Sequence, residues 1–213
     1  MQTLGVIYIQ GIWCFRVTDQ KVLFKAEVRQ LGSHGRPCRL KDEDFSTRCL
    51  LRKLKRNRHT CAHCGCEVMA ADLAELVHKY GPLTVCGIPR SKRESIYPAE
   101  KMGLKRAIRK AVASIPQLTD GLDYIVRHTN TKCTHRSYWG HGGDGEMPRP
   151  GLMRDTCTLS PAIAGKTIVL VDDIYTPGVG IDEDGVQTLY EAGARSVILY
   201  TFGYTVKKYG CVA

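Results

Sequence analysis

The 213-residue chain has no apolar run approaching the ~18 residues a membrane-spanning helix needs, so a span is not expected. Its most apolar early stretch, residues 4–15, lacks a basic leader and a small-residue cleavage site and is broken by Tyr8 and Gln10. β-formers dominate that stretch, and a signal peptide is not expected. Internal repeats and low-complexity segments are missing too, which excludes repeat architectures. Negative charge is in short supply: 21 Asp+Glu stand against 31 Lys+Arg, a formal net charge of +10. That balance points to an anionic partner such as nucleic acid, a nucleotide or a phosphate ester. Disorder as the default state is excluded, because a 43% hydrophobic fraction is ordinary for a packed core.

Cysteine, by contrast, is abundant, with ten residues. Disulfide frameworks belong mainly to exported chains under ~100 residues that cannot bury a core. This chain is long enough for one domain with an elaboration or two small ones, and an export signal is not expected. The expectation is a reducing cytoplasm, mostly free thiols and one metal-site candidate. Cys61-x-x-Cys64-x-Cys66, with His59 and His63 beside it, has ligand types suited to zinc. Cys38 and Cys49 are scattered candidates for a fourth ligand; a cluster of free thiols is the competing account.

The chain divides near residue 80. Residues 1–80 read as a β-rich N-terminal region, with a hairpin of residues 6–9 and 12–17 about Gln10-Gly11 and a further strand at 22–28. Residues 48–58 hold six basic residues and no acid, interleaved with Leu50, Leu51 and Leu54, and suit a short helix. Such a run can bind a nucleic-acid backbone or be a solvated face. A helix is expected over 69–80, closed by Gly81-Pro82.

Residues 81–213 alternate strand and helix. Strands are expected at 83–88, 124–126, 166–173 and 196–202, and helices at 99–115, opened by Pro98, and at 182–192, closed by Gly193. This order requires crossovers and implies an α/β domain with a central parallel sheet. On the first helix, Leu104, Ile108, Ala111 and Ile115 share one face, opposite a basic group of Lys101, Lys105, Arg106, Arg109 and Lys110 that reads mainly as solvated surface. Residues 131–164 lack clean periodicity, are glycine-rich and contain Tyr138, Trp139 and His141; a connection that long suits a lid.

The sharpest motif is Ile168-Val169-Leu170-Val171-Asp172-Asp173-Ile174-Tyr175-Thr176-Pro177-Gly178-Val179-Gly180. Open parallel sheets place ligands outside the carboxyl ends of their strands. Two carboxylates there can face ribose hydroxyls or a hydrated divalent cation, and the following loop can offer backbone N–H groups to a phosphate.

With these residues the chain resembles the type I phosphoribosyltransferase family over roughly residues 83–205. Val85-Cys86-Gly87-Ile88-Pro89-Arg90-Ser91-Lys92-Arg93 is similar to the first strand and pyrophosphate loop of its competence-associated, amidophosphoribosyltransferase-like branch. The resemblance implies a central parallel sheet with a hood, here the N-terminal part. It also implies transfer of phosphoribose from magnesium-bound phosphoribosyl diphosphate to a nitrogen nucleophile. Asp172 and Asp173 would hold the ribose hydroxyls and, through water, magnesium. Thr176, Gly178, Val179 and Gly180 would cradle the 5′-phosphate, and Arg90 and Lys92 would meet the pyrophosphate. A zinc ribbon before the transferase part is frequent in that branch.

Three departures stand out. Pro177 replaces a hydroxyl residue and removes an N–H from the cradle, Gly180 replaces another hydroxyl, and Asp182, Glu183 and Asp184 crowd the next helix start. Acids there suit the helix dipole yet repel a phosphate docked at the same terminus. A non-catalytic nucleotide-sensing or nucleic-acid-binding relative is therefore the alternative expectation, including an accessory effector of a bacterial anti-phage, retron-like system. Of the net charge, +6 lies before Gly81 and +4 after it, so a nucleic-acid partner is expected to bind the N-terminal part. A homo-oligomer is left open.

Overall fold

A computed structural model of the chain describes residues 5–9, 12–16, 62–132, 153–175 and 180–204. The fold is α/β. In chain order its elements are β1 (Gly5–Ile9), β2 (Ile12–Arg16), α1 (Ala62–Tyr80), β3 (Leu83–Gly87), α2 (Gly103–Ala113), β4 (Leu118–Asp120), β5 (Ile125–Arg127), the single turn α3 (Met153–Thr156), β6 (Cys157–Leu159), β7 (Thr167–Tyr175), α4 (Ile181–Glu191) and β8 (Ser196–Tyr204). Short 3-10 turns at Glu94–Ile96, Ala99–Lys101 and Pro161–Ile163 complete it. The main sheet has the order β1-β2-β8-β7-β3-β4. Neighbouring strands from β2 to β4 run parallel, and β1 is antiparallel at the edge. No helix of the described residues is long and apolar enough to cross a membrane.

Both faces of the sheet are covered, which is why its strands read as apolar runs instead of alternating with polar residues. Side chains still alternate in direction along each strand. Val169 and Val171 of β7, with Ile198 and Tyr200 of β8, pack against Met69, Leu73 and Leu76 of α1 and Ile108 and Ala111 of α2. Ile168 and Leu170, with Val197 and Leu199, face Val186 and Leu189 of α4 and Ile125 and Cys157 of the β5–β6 ribbon. Each such Leu or Ile, once fully buried, contributes roughly 1.5–3 kcal/mol from apolar burial. The expected stripe on α2 is present, with Ile108 and Ala111 buried and Leu104 and Ile115 packed at the margin.

Some expectations change. The strand at 124–126 is not a member of the parallel sheet: Ile125–Arg127 pairs antiparallel with Cys157–Leu159 in a separate ribbon. The place beside β3 goes to Leu118–Asp120, after which the chain leaves the sheet at Gly121. A Cβ on Gly121 would lie 2.7 Å from Thr84 Cγ2 and 2.9 Å from Cys86 Sγ, so only glycine allows that close crossing. The helix expected from residue 69 begins at Ala62. Its buried side chains join the core of the following strands. The hairpin of β1 and β2 adds to the edge of β8, Cys14 pairing with Leu199 and Arg16 with Thr201. That pairing satisfies an edge that would otherwise expose unpaired backbone groups. Of the irregular segment 131–164, Met153–Ile163 is ordered as a helical turn, a strand and a 3-10 turn.

The strand expected at 22–28, the basic run at 48–58 and residues 133–152 lie outside the described residues, as do Cys38, Cys49, His59 and Cys61. Cys64 and Cys66 stand two positions apart near the start of α1.

Candidate functional site

The carboxyl edge of the sheet brings together the end of β7, the loop after β3 and the first turn of α4. β3 runs alongside β7 in register, Gly87 opposite Val171, and Ile88 N–H extends the pairing by donating to Val171 O at 3.0 Å. The chain then breaks away at Pro89 beside the last part of β7, where Asp172 and Asp173 lie; the strand expected to end at residue 173 runs on, paired with β8, to Tyr175.

Strand alternation separates those two carboxylates. Asp172 continues the phase of Ile168 and Leu170, toward α4, and Asp173 takes the opposite phase. Asp173 N–H donates to Asp172 Oδ1 at 2.7 Å, which folds the Asp172 carboxylate back on its own strand. Toward Asp172 comes Asp182, on the first turn of α4 and only 4% exposed. Asp182 and Asp172 share a hydrogen bond, and two carboxyl groups can do so only if one carries the proton. Burial, aided by the charges of Glu183 and Asp173, pushes the Asp182 carboxyl up to about 7, while the hydrogen bond with Asp172 works the other way and marks Asp182 as the acceptor. Asp182 Oδ1 is buried without a hydrogen-bond partner. The acids of the helix start therefore do not all turn away from the motif: one is built into it.

Gly180 caps α4 with φ +81°, and its carbonyl accepts the Asp184 N–H at 3.0 Å. The left-handed backbone at this position explains why no hydroxyl residue occupies it, since an L side chain there is strained. Thr176, Pro177, Gly178 and Val179 lie outside the described residues.

Tyr97 organises the loop after β3. Its hydroxyl accepts the Lys92 N–H at 3.2 Å and lies 3.4 Å from Ser91 Oγ. Its ring underlies the Arg90 guanidinium at 4.3 Å, and Arg90 Nη1 donates to Lys101 O at 2.7 Å. From the other side Thr131 N–H donates to Ser91 O at 2.6 Å, and Arg93 N–H donates to Asn130 Oδ1 at 2.9 Å. Arg90 and Lys92 are thus presented on a loop clamped at both ends. The basic face of α2 is partly neutralised. Lys105 Nζ bonds Glu94 at 2.7 Å and Asp123 at 2.8 Å, and Arg109 bonds Asp120 at 3.2 Å and Asp123 at 2.7 Å. These pairs hold the Asp123 carboxyl below the usual range, Lys105 being the main cause.

Among the described residues, no three His, Cys, Asp or Glu side chains are placed to hold a metal ion directly. The Asp172–Asp173 pair, an all-oxygen donor set in the last part of β7, suits a hydrated hard cation held through water. The zinc candidate cannot be assembled from described side chains, since Cys61 lies outside them.

Three residues of this edge escape the motif reading. Tyr97 carries no pattern of its own. Asp182 was visible only as one of three acids at a helix start. Arg127 follows Ile125 at the period of two, and that alternation marks a charged residue on a buried phase. Compared with known proteins, the chain matches no family model and no curated protein significantly, so what this site can do rests on its own residues.

Proposed function

We propose that the chain is a phosphoribosyltransferase-like enzyme of the type I kind, moving phosphoribose from phosphoribosyl diphosphate to a nitrogen nucleophile with magnesium. The observation that carries this reading is the Asp172–Asp173 pair at the carboxyl end of central β7, flanked by the basic loop after β3 and the Gly180 start of α4. In this reading Asp173 and Asp172 accept hydrogen bonds from the ribose hydroxyls and hold the sugar against the strand end. Arg90 and Lys92 meet the diphosphate, whose bond to the anomeric carbon breaks as the carbon–nitrogen bond forms. The nucleophile's proton leaves to solvent. Cationic donors lower the barrier by stabilising charge that grows on the leaving diphosphate. Bound through water at Asp172 and Asp173, magnesium would supply further positive charge to the same oxygens.

Asp172 is already engaged by Asp173 N–H and by Asp182, and this favours a second reading, a non-catalytic nucleotide-binding relative on the same fold. Calorimetry with phosphoribosyl diphosphate and magnesium, together with an assay for released pyrophosphate over a panel of bases and amines, separates the two. The enzyme reading expects binding and turnover, both abolished in Asp172→Asn/Asp173→Asn. No heat at millimolar ligand, or a double variant that behaves as wild type, would sink it. Binding without pyrophosphate release favours the second reading.

A further inference from the structure

Asp182 occupies a core position of α4. Asp182, Val186 and Leu189 are all buried and follow one another at the spacing of an inward helical stripe. The first place of such a stripe ordinarily takes an apolar side chain; here it holds a carboxyl that is only 4% exposed. The helix dipole accounts for acids in this first turn. Glu183 and Asp184, which are less deeply placed, already meet that need. Burying a carboxyl is costly, and packing alone gives no reason to do it.

What Asp182 touches is Asp172, whose side chain is held twice. Asp172 Oδ1 accepts Asp173 N–H at 2.7 Å from its own strand, and its carboxyl shares a hydrogen bond with Asp182 from a different element. The first contact lets the carboxyl pivot about one oxygen. The second removes that freedom. Buried Thr201 stands in register with Asp172 on the neighbouring strand, so Asp172 lies in an enclosed row while Asp173 takes the opposite phase. Asp182 itself is left incompletely paired, its Oδ1 buried without a hydrogen-bond partner. The arrangement therefore serves Asp172 better than it serves Asp182.

We infer that Asp182 is a positioning residue: from the first turn of α4 it fixes the Asp172 carboxyl, so that a ribose-bearing ligand meets one acid already set in place. This role rests on the reading of Asp172 and Asp173 as the ribose-binding pair. Asp182 makes no contact with the ligand. A side chain ordered before binding spares the ligand the entropic cost of ordering it.

The test begins without ligand. Because Asp173 N–H donates to Asp172 Oδ1, the Asp173 amide signal in a proton–nitrogen spectrum of the full chain reports where that carboxyl sits. Asp182→Ala should shift and broaden this signal and speed its hydrogen exchange, while the signals of Val186 and Leu189, further along α4, hold their positions. Asp182→Asn puts a hydrogen-bonding group back in the same place and should return the Asp173 signal most of the way. Asp182→Ser replaces Asp182→Ala if the latter does not fold. Affinity for phosphoribosyl diphosphate with magnesium is then measured by calorimetry, and turnover by pyrophosphate release. Asp182→Ala should weaken binding and raise KM about 3–10-fold. Its kcat should change less than about twofold, the pattern of lost binding with the chemistry intact. Asp182→Asn should fall between Asp182→Ala and wild type.

Three results overturn the inference: an Asp173 signal that stays in place in Asp182→Ala, binding by that variant as tight as wild type or tighter, or Asp182→Asn no closer to wild type than Asp182→Ala. A wild type that ignores phosphoribosyl diphosphate, with the Asp173 signal still displaced in Asp182→Ala, keeps Asp182 as the residue that positions Asp172 and removes the phosphoribosyl reading. Wild-type turnover that Asp182→Ala leaves untouched, with the Asp173 signal unmoved, does the reverse.

Discussion

The two faces of the central sheet bury polar groups in contrasting ways. On the face covered by α1 and α2, the Tyr200 hydroxyl donates to Asp72 Oδ2 at 3.0 Å, and both side chains lie in the core, 1% exposed or less. That pair joins α1 to β8 across 128 residues and makes a local, mutually satisfied contact. On the face covered by α4 and the ribbon, Asp182 and Arg127 are also buried, yet each keeps a buried atom without a hydrogen-bond partner. Burial pushes both Asp72 and Asp182 up to about 7, so desolvation alone does not distinguish the faces. What differs is completeness of pairing. A satisfied buried pair specifies packing, whereas an incomplete one at a strand's carboxyl end leaves donors and acceptors for something from outside.

The largest expected effect tests that contrast through pH. A carboxyl whose folded pKa is raised adds stability below its unfolded value near 3.8, and loses it as pH rises through about 7. Wild-type stability should therefore decline between about pH 4 and pH 8 from these two groups. Asp72→Asn and Asp182→Asn should each flatten part of that decline, leaving the variants about 2–4 kcal/mol more stable than wild type at pH 8. Urea melts at pH 5 and pH 8 would show it. The faces then separate on ligand binding: Asp72→Asn should leave anion affinity intact, and Asp182→Asn should alter it. Equal effects on binding would erase the distinction.

Next in size, Tyr200→Phe removes the donor from buried Asp72 and should cost about 1–3 kcal/mol, read as a lower urea midpoint at unchanged slope. Gly180→Ala puts a side chain at φ +81° and should cost about 1–2 kcal/mol, with weaker anion binding because the helix start shifts. If stability falls and binding holds, the α4 start is scaffold only. The smallest effect belongs to the surface brace on α2. Asp123→Ala removes two exposed ion pairs and should cost about 0.2–1 kcal/mol, shrinking further in high salt.

Much of this molecule was legible without coordinates because its signals are local. The apolar run before Asp172, the Leu104–Ile108–Ala111–Ile115 stripe and Gly193 after α4 each rest on periodicity or on one backbone angle, and Gly193 indeed has φ +87°. The hairpin about residues 10–11 was equally clear from its β-formers. Its pairing with β8 was not, since an edge partner 185 residues away leaves no mark on a five-residue strand. The strand at 125–127 looked like any other for the same reason: three residues state an extended backbone but not which sheet they join. Gly121, which turns the chain out of the sheet, shows its purpose only when Thr84 and Cys86 are beside it.

The amino-acid sequence by itself determined the α/β order, the doubly covered strands and the placing of Asp172 and Asp173 in the last part of a strand, because hydrophobic period and chain direction are local properties. Tertiary structure alone decided that Asp182 turns inward onto Asp172, that Tyr97 clamps the loop carrying Arg90 and Lys92, and that Arg127 is buried with donors to spare. Those outcomes depend on which elements converge at the carboxyl edge, and burial and charge pairing are properties of that convergence.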